Sequence, residues 1–94
     1  MSRYITLIRF TSKGVTAIRK SPARAAAFRK ACRQAGVTVE AQYWTAGRYD
    51  GALIVSGLTD RKVLQTIARL ASQGNVTTET LQAFDAQEFK RIVG

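Results

Sequence analysis

Residues 42–55 read QYWTAGRYDGALIV, and this stretch decides the fold because it sets a turn between two runs of strand-forming residues. Gly47 and Arg48 are expected at the centre of a two-residue type II′ turn, whose first central position favours glycine. Counting outward from that turn places Trp44 opposite Gly51. The sequence therefore predicts a β-hairpin near the middle of the chain.

The segments on either side of the hairpin alternate between strand and helix patterns. Runs of β-branched and aromatic residues predict four strands, at residues 4–10, 37–45, 51–56 and 76–84. Two main helices are predicted, one from an N-cap at Ser21 followed by Pro22 to Gly36, the other from Thr59 or Asp60 to Gly74. The order β-α-β-β-α-β indicates a single ferredoxin-like α+β domain over residues 1–94, with a four-stranded antiparallel sheet and both main helices on one face.

A short last helix is predicted at the C-terminal end of the chain. Asp85 and Glu88 stand three residues apart, as in a capping box that opens a helix. Phe89, Ile92 and Val93 follow, and we expect these apolar side chains to dock the helix on the domain.

The register of the hairpin assigns its side chains to the two faces of the sheet. The face assigned to the helices holds Val37, Val39, Ala41, Tyr43, Ala52 and Ile54, and the opposite face holds Glu40, Gln42, Trp44, Leu53 and Val55. Because Leu53 and Val55 would be apolar on an uncovered face, we expect a second subunit to cover them, with a homodimer as the first choice. A bulge or a longer loop would shift the register by one residue and exchange the two faces.

The charge balance favours anionic partners. The chain carries 15 Lys and Arg against 6 Asp and Glu, a formal net charge of +9, and much of the excess precedes the first acidic residue, Glu40. Arg29, Lys30 and Arg33 lie on the polar side of the first main helix, where contact with anions is expected, including non-specific contact with nucleic-acid phosphates. Sequence-specific recognition is disfavoured, because the third strand carries Ala52-Leu53-Ile54-Val55 where an RNA-recognition module needs stacking aromatic residues.

The residues around the turn have both a structural and a functional interpretation. Structurally, Gly47 supplies a backbone conformation that other residues resist, and Thr45 pairs with Asp50 across the ladder. Functionally, a set of aromatic and charged side chains would line a ligand cleft, namely Trp44, Arg48, Tyr49, Asp50 and Glu79. In an enzyme, Asp50 or Glu79 would act as the base, and Tyr49 or Tyr43 would donate a hydrogen bond. We favour the structural interpretation and leave the functional one open.

Several familiar kinds of chemistry have no residues to support them. With no histidine and one cysteine, the sequence holds neither a Ser-His or Cys-His nucleophile pair nor a metal site, and we expect no cofactor. Cys32 falls on the apolar stripe of the first main helix, where a small buried hydrophobe is expected. Arg3 and Arg9 interrupt the apolar opening of the chain, so we expect no membrane segment and a cytoplasmic protein.

Several motifs in a fixed order resemble the GYD domain family over nearly the whole chain. They are Tyr4-Ile5-Thr6-Leu7-Ile8, Lys20-Ser21-Pro22 followed by Arg24, Tyr43-Trp44-Thr45 with Gly47 and Tyr49-Asp50, and Gly74-Asn75-Val76 with residues 78–84. The resemblance implies a ferredoxin-like fold related to the dimeric α/β barrels, and it carries over Gly47, Tyr49 and Asp50 as the name-giving residues. It implies no particular activity.

Three functions from different classes remain after these exclusions. We favour a non-enzymatic, homo-oligomeric binding module whose cleft takes a small anionic molecule. The alternatives are an enzyme or isomerase of the dimeric barrel type, and a protein that binds nucleic acid non-specifically through its basic first helix.

Overall fold

The computed structural model describes all 94 residues, Met1–Gly94. The strands are β1 Ser2–Phe10, β2 Thr38–Trp44, β3 Gly51–Gly57 and β4 Val76–Gln82, and the helices are α1 Ser12–Thr16, α2 Ser21–Gln34, α3 Asp60–Ser72 and α4 Ala86–Val93, with a 3₁₀ turn at Ile18–Lys20. The strands form one antiparallel sheet in the order β2-β3-β1-β4. The predicted ferredoxin-like α+β fold is therefore confirmed. No helix has the length and apolar character needed to cross a membrane.

The core lies between the sheet and the two long helices. Cys32 of α2 and the α3 residues Val63 and Ile67 pack there against Tyr4 of β1 and the buried side chains of β3. Cys32 is fully buried, as its place on the apolar stripe predicts, and burial raises the pKa of its thiol. Its role is therefore that of a small core side chain.

The helix starts follow the sequence signals at two of three places. The hydroxyl of Thr59 accepts a backbone N–H from the first turn of α3. Asp85 and Glu88 form the predicted capping box at the start of α4. Ser21 does not cap α2: its buried hydroxyl accepts a hydrogen bond from the indole Nε1 of Trp44 at 3.0 Å. The side chain of Ser21, which was predicted to cap α2, instead links this helix to the end of β2.

A β-bulge in β2 overturns the predicted assignment of the sheet faces. Near the turn the pairing is as expected, with Trp44 opposite Gly51. The register then shifts between Val39 and Ala41, because the strand contains one extra residue, Glu40. Since side chains alternate along a strand, one extra residue exchanges the faces beyond it.

Because of the bulge, the two faces of β3 are the reverse of those predicted. Leu53 and Val55 are 1% and 0% exposed and belong to the core beneath the helices. Val37 lies on the helix side as predicted, and the error begins only beyond the bulge. A dimer contact through Leu53 and Val55 is therefore wrong, because a second subunit cannot reach them.

The open face of the sheet is apolar even so. Its apolar side chains come from all four strands and are Ile5, Leu7, Ala41, Tyr43, Ala52, Ile54 and Leu81. Tyr43 is 63% exposed, and neither long helix covers this side. We refer to these seven side chains as the open face.

The predicted docking of the last helix is also wrong. Phe89, Ile92 and Val93 are 55%, 58% and 66% exposed, so they do not pack on this chain. The helix is instead tied at its first turn, where Nη1 of Arg3 donates to Oε1 of Glu88 at 2.9 Å. The capping box alone specifies the helix, and the apolar side of α4 is left without cover.

Candidate functional site

The hairpin loop spans residues 45–50 and is wider than the predicted type II′ turn. Gly47 has a φ of +134°, which side chains resist, but no backbone hydrogen bond joins Ala46 and Tyr49 as a two-residue turn would require. The backbone N–H of Thr45 donates to the carbonyl of Asp50 at 2.9 Å. The loop is closed at its base and has no turn hydrogen bond at its tip.

Asp50 joins this loop to the end of β1. Its backbone N–H donates to the carbonyl of Ile8 at 2.7 Å, and its carboxylate Oδ2 accepts the backbone N–H of Phe10 at 2.8 Å. The carboxylate thus satisfies a backbone donor where the strand pairing with β3 ends. These contacts support the structural interpretation of the motif.

The structure separates the five predicted ligand residues into two groups. Trp44 and Asp50 line a pocket on the helix side of the sheet. Tyr49 and Glu79 are joined to each other instead, the phenol donating to Oε2 of Glu79 at 2.6 Å. Arg48 is exposed on the hairpin loop and makes neither of these contacts. No single cleft contains all five.

The pair Tyr49 and Glu79 lies beside the open face, because Glu79 is paired with Leu7. The guanidinium of Arg9 stands 5.0 Å from the centre of the Tyr49 ring, a cation–π distance. The hydrogen bond to Glu79 is the main cause that raises the pKa of Tyr49 above its ordinary value. Tyr49 therefore keeps its proton at neutral pH and acts as a hydrogen-bond donor.

The helix-side pocket lies between α2, the hairpin and the end of α3. Its empty space is about 550 Å³, a figure that includes open solvent at its mouth. Its wall is largely apolar and includes Ile8, Phe10, Phe28, Trp44, Leu53 and Leu70. Arg24 and Asp50 are the only charged residues that line it.

Arg24 also lines this pocket, although it is not among the residues predicted to bind a ligand. Its Nη1 donates to the carbonyl of Ala17 at 3.1 Å, whereas its Nη2 is buried and has no acceptor in the protein. The sequence does contain a signal for it. Arg24, Phe28 and Cys32 are spaced four residues apart, so a guanidinium stands on the apolar stripe of α2.

The predicted anion contacts lie elsewhere on α2. Arg29, Lys30 and Arg33 are all exposed, and none pairs with a carboxylate. Arg29 donates to the side-chain oxygen of Gln42 at 3.0 Å. Their positive charge faces solvent and is available to an anionic surface.

Comparison with known proteins gives one family and a few relatives. A family model, the GYD domain, matches residues 4–93. The glutamine synthetase and cystathionine beta-lyase binding protein of Thermus thermophilus is 34% identical over 84 residues, which are 88% of each chain.

Two crystal structures are similar to this chain. FFRP-DM1 superposes with a TM-score of 0.65 over 89% of this chain and 100% of its own, and at 19% identity this likeness shows the fold alone. TTHA0845 from Thermus thermophilus is 25% identical, with a TM-score of 0.57 over 92% of this chain and 96% of its own.

Proposed function

Because this chain belongs to the GYD domain family, we propose that it is a non-enzymatic, homo-oligomeric binding module that takes a small anionic ligand. The observation that carries the oligomeric part is the open face, an apolar sheet surface without cover. A one-sided antiparallel sheet usually turns a polar face to water, so an apolar one marks an interaction surface.

A second copy of the chain is the occupant we propose for this face. Besides its apolar side chains, the surface carries charges of both signs, and Arg9 and Glu79 form no salt bridge within the chain. A two-fold contact brings the same surface against itself, so such a mixture of charges can be self-complementary.

The relative from Thermus thermophilus supports binding as the class of function. Its name states that it binds glutamine synthetase and cystathionine beta-lyase. We propose that the present chain is likewise a binding protein and that other proteins are among its partners. We do not propose that it binds these two enzymes.

The contacts of Asp50 and Glu79 support the non-enzymatic part of the proposal. The carboxylate of Asp50 accepts a hydrogen bond from the backbone of Phe10, and that of Glu79 accepts one from the phenol of Tyr49. Each carboxylate therefore already accepts one hydrogen bond from the protein, which favours a structural role over that of a general base.

Light scattering at micromolar concentration tests the proposal, and we expect at least a dimer. Ile54→Lys places a charge in the middle of the open face and should give the monomer mass with an unchanged circular dichroism spectrum. Leu64→Lys is the matched control, because Leu64 is an exposed residue of α3, and it should keep the wild-type mass. A monomeric wild-type protein, or a dimer that survives Ile54→Lys, would contradict the proposal.

A further inference from the structure

We propose that the helix-side pocket binds a small monocarboxylate with an apolar body, and that Arg24 binds its carboxylate group. This inference rests on the proposed function, because it names the site and the chemical class of the anionic ligand. It moves the site from the hairpin loop to the space between the sheet and α2.

The argument begins with the unused half of the Arg24 guanidinium. Nη2 is buried without a protein acceptor, and the two salt bridges of the molecule both belong to Arg3. A buried charged donor is costly unless it has an acceptor. A carboxylate is the acceptor that suits the planar guanidinium best, since the two groups form directional, charge-assisted hydrogen bonds.

The other charged groups near Arg24 limit the charge of the ligand. Arg24 is the only basic residue that lines the pocket, and the one acidic residue there, Asp50, already accepts a backbone N–H. One cation therefore faces the ligand, which fits a monoanion better than a dianionic phosphate. Arg24 also lines a separate groove between α2 and α3, whose other charged residue, Arg69, does not line the pocket.

The wall of the pocket determines the chemistry of the part of the ligand that does not contact Arg24. Phe10, Phe28 and Trp44 contribute aromatic surface, and Ile8 contributes aliphatic surface. The indole of Trp44 donates a hydrogen bond to Ser21, which orients its ring at the pocket. An apolar wall with one cation selects a molecule that is apolar at one end and carboxylate at the other.

The fluorescence of Trp44, the only tryptophan, reports on the pocket directly. The probe is benzoate, with benzamide as its neutral counterpart of nearly equal shape and inorganic phosphate as an anion without an apolar body. We expect benzoate to change the emission of the wild-type protein saturably and to raise its melting temperature. Benzamide and phosphate should do neither at the same concentrations.

Arg24→Gln should weaken benzoate binding at least about tenfold, which is the loss expected when a charged hydrogen-bond partner is removed. Arg33→Gln removes an exposed charge from the same helix and should leave the affinity within about twofold, as surface charges at a distance are largely screened. Arg24→Lys keeps the charge without the planar fork and should bind benzoate with an intermediate affinity.

Several results would overturn this inference. Equal binding of benzamide, equal binding of phosphate, or no response to benzoate would each do so without the use of any variant. Full affinity in a folded Arg24→Gln protein would do the same. Light scattering on the same samples separates a failure of this inference from a failure of the proposed function. A protein that is dimeric but does not bind benzoate would overturn only the assignment of the pocket.

Discussion

Asp50 illustrates how one carboxylate in a suggestive motif can be structural. Because its Oδ2 accepts the backbone N–H of Phe10, Asp50→Ala leaves that half-buried donor unpaired and should lower the free energy of unfolding by about 1–3 kcal/mol. Asp50→Asn retains an acceptor oxygen and should cost clearly less. Urea denaturation followed by circular dichroism measures both. Equal stability of Asp50→Ala and wild type would refute the role assigned to the carboxylate.

Gly14 is required by a contact that the sequence does not reveal. A Cβ at this position would overlap the backbone carbonyl of Asn75, which cannot move away as a flexible side chain can. Gly14→Ala should therefore lower the free energy of unfolding by about 1–3 kcal/mol or more, as overpacking does. Ser12→Ala, at an exposed position of the same short helix, should stay within about 0.5 kcal/mol of wild type in the same urea titration. Equal effects of the two changes would contradict this contact.

At the residue scale, the sequence predicted some environments and missed others for identifiable reasons. The burial of Cys32 follows from helical spacing, which is local information. The unused Nη2 of Arg24 was missed because it depends on what surrounds the stripe of α2, and spacing alone does not show a missing acceptor. The separation of Trp44 from Tyr49 was missed because it depends on which way the loop leaves the sheet.

At the element scale, strands and helices were predictable because their signals lie within a few residues. The face of a strand is not a local property. Glu40 adds one residue to β2, and nothing in its chemistry predicts a bulge. The bulge nevertheless decides which face of the sheet Leu53 and Val55 occupy on the neighbouring strand. The prediction that α4 docks on this chain was wrong for the same reason. An apolar helix face shows that a partner surface is needed, but it does not show which chain supplies that surface.

The start of α4 should be sensitive to acid. The backbone N–H of Glu88 donates to Asp85, and this bond is the main cause that lowers the pKa of Asp85 below its usual value. Because the folded pKa is the lower one, the cap contributes stability above the ordinary carboxyl range, and this contribution is lost as the pH falls through the lowered pKa. After correction for the intrinsic pH dependence of amide exchange, the protection of amides in α4 should therefore fall at low pH relative to that in α3.

A variant separates this titration from general acid unfolding. Asp85→Asn retains a capping oxygen without the charge, so the protection of α4 relative to α3 should lose most of its dependence on pH while the helix still forms. If the protection of α4 in Asp85→Asn still falls as steeply at low pH as in wild type, another group is responsible.

At the scale of the whole molecule, the two sides of the sheet carry different surfaces. The open face is apolar with charges of both signs, whereas the outer surface of α2 is basic and contributes to a net charge of +9. A dimer formed through the open faces leaves α2 of both copies exposed. Self-association and contact with anionic surfaces are therefore compatible and can be altered separately.

Retention on heparin tests the basic surface of α2. The double change Arg29→Glu and Arg33→Glu should lower the salt concentration needed for elution, because each neutralised phosphate or sulfate contact adds to the salt dependence of binding. The double change Arg61→Glu and Lys62→Glu on α3 lowers the net charge equally and serves as the control. If both variants elute together, net charge alone governs retention, and α2 has no special part in it. If the α2 variant elutes earlier while its mass by light scattering is unchanged, anions contact α2 on a surface that the proposed dimer leaves open.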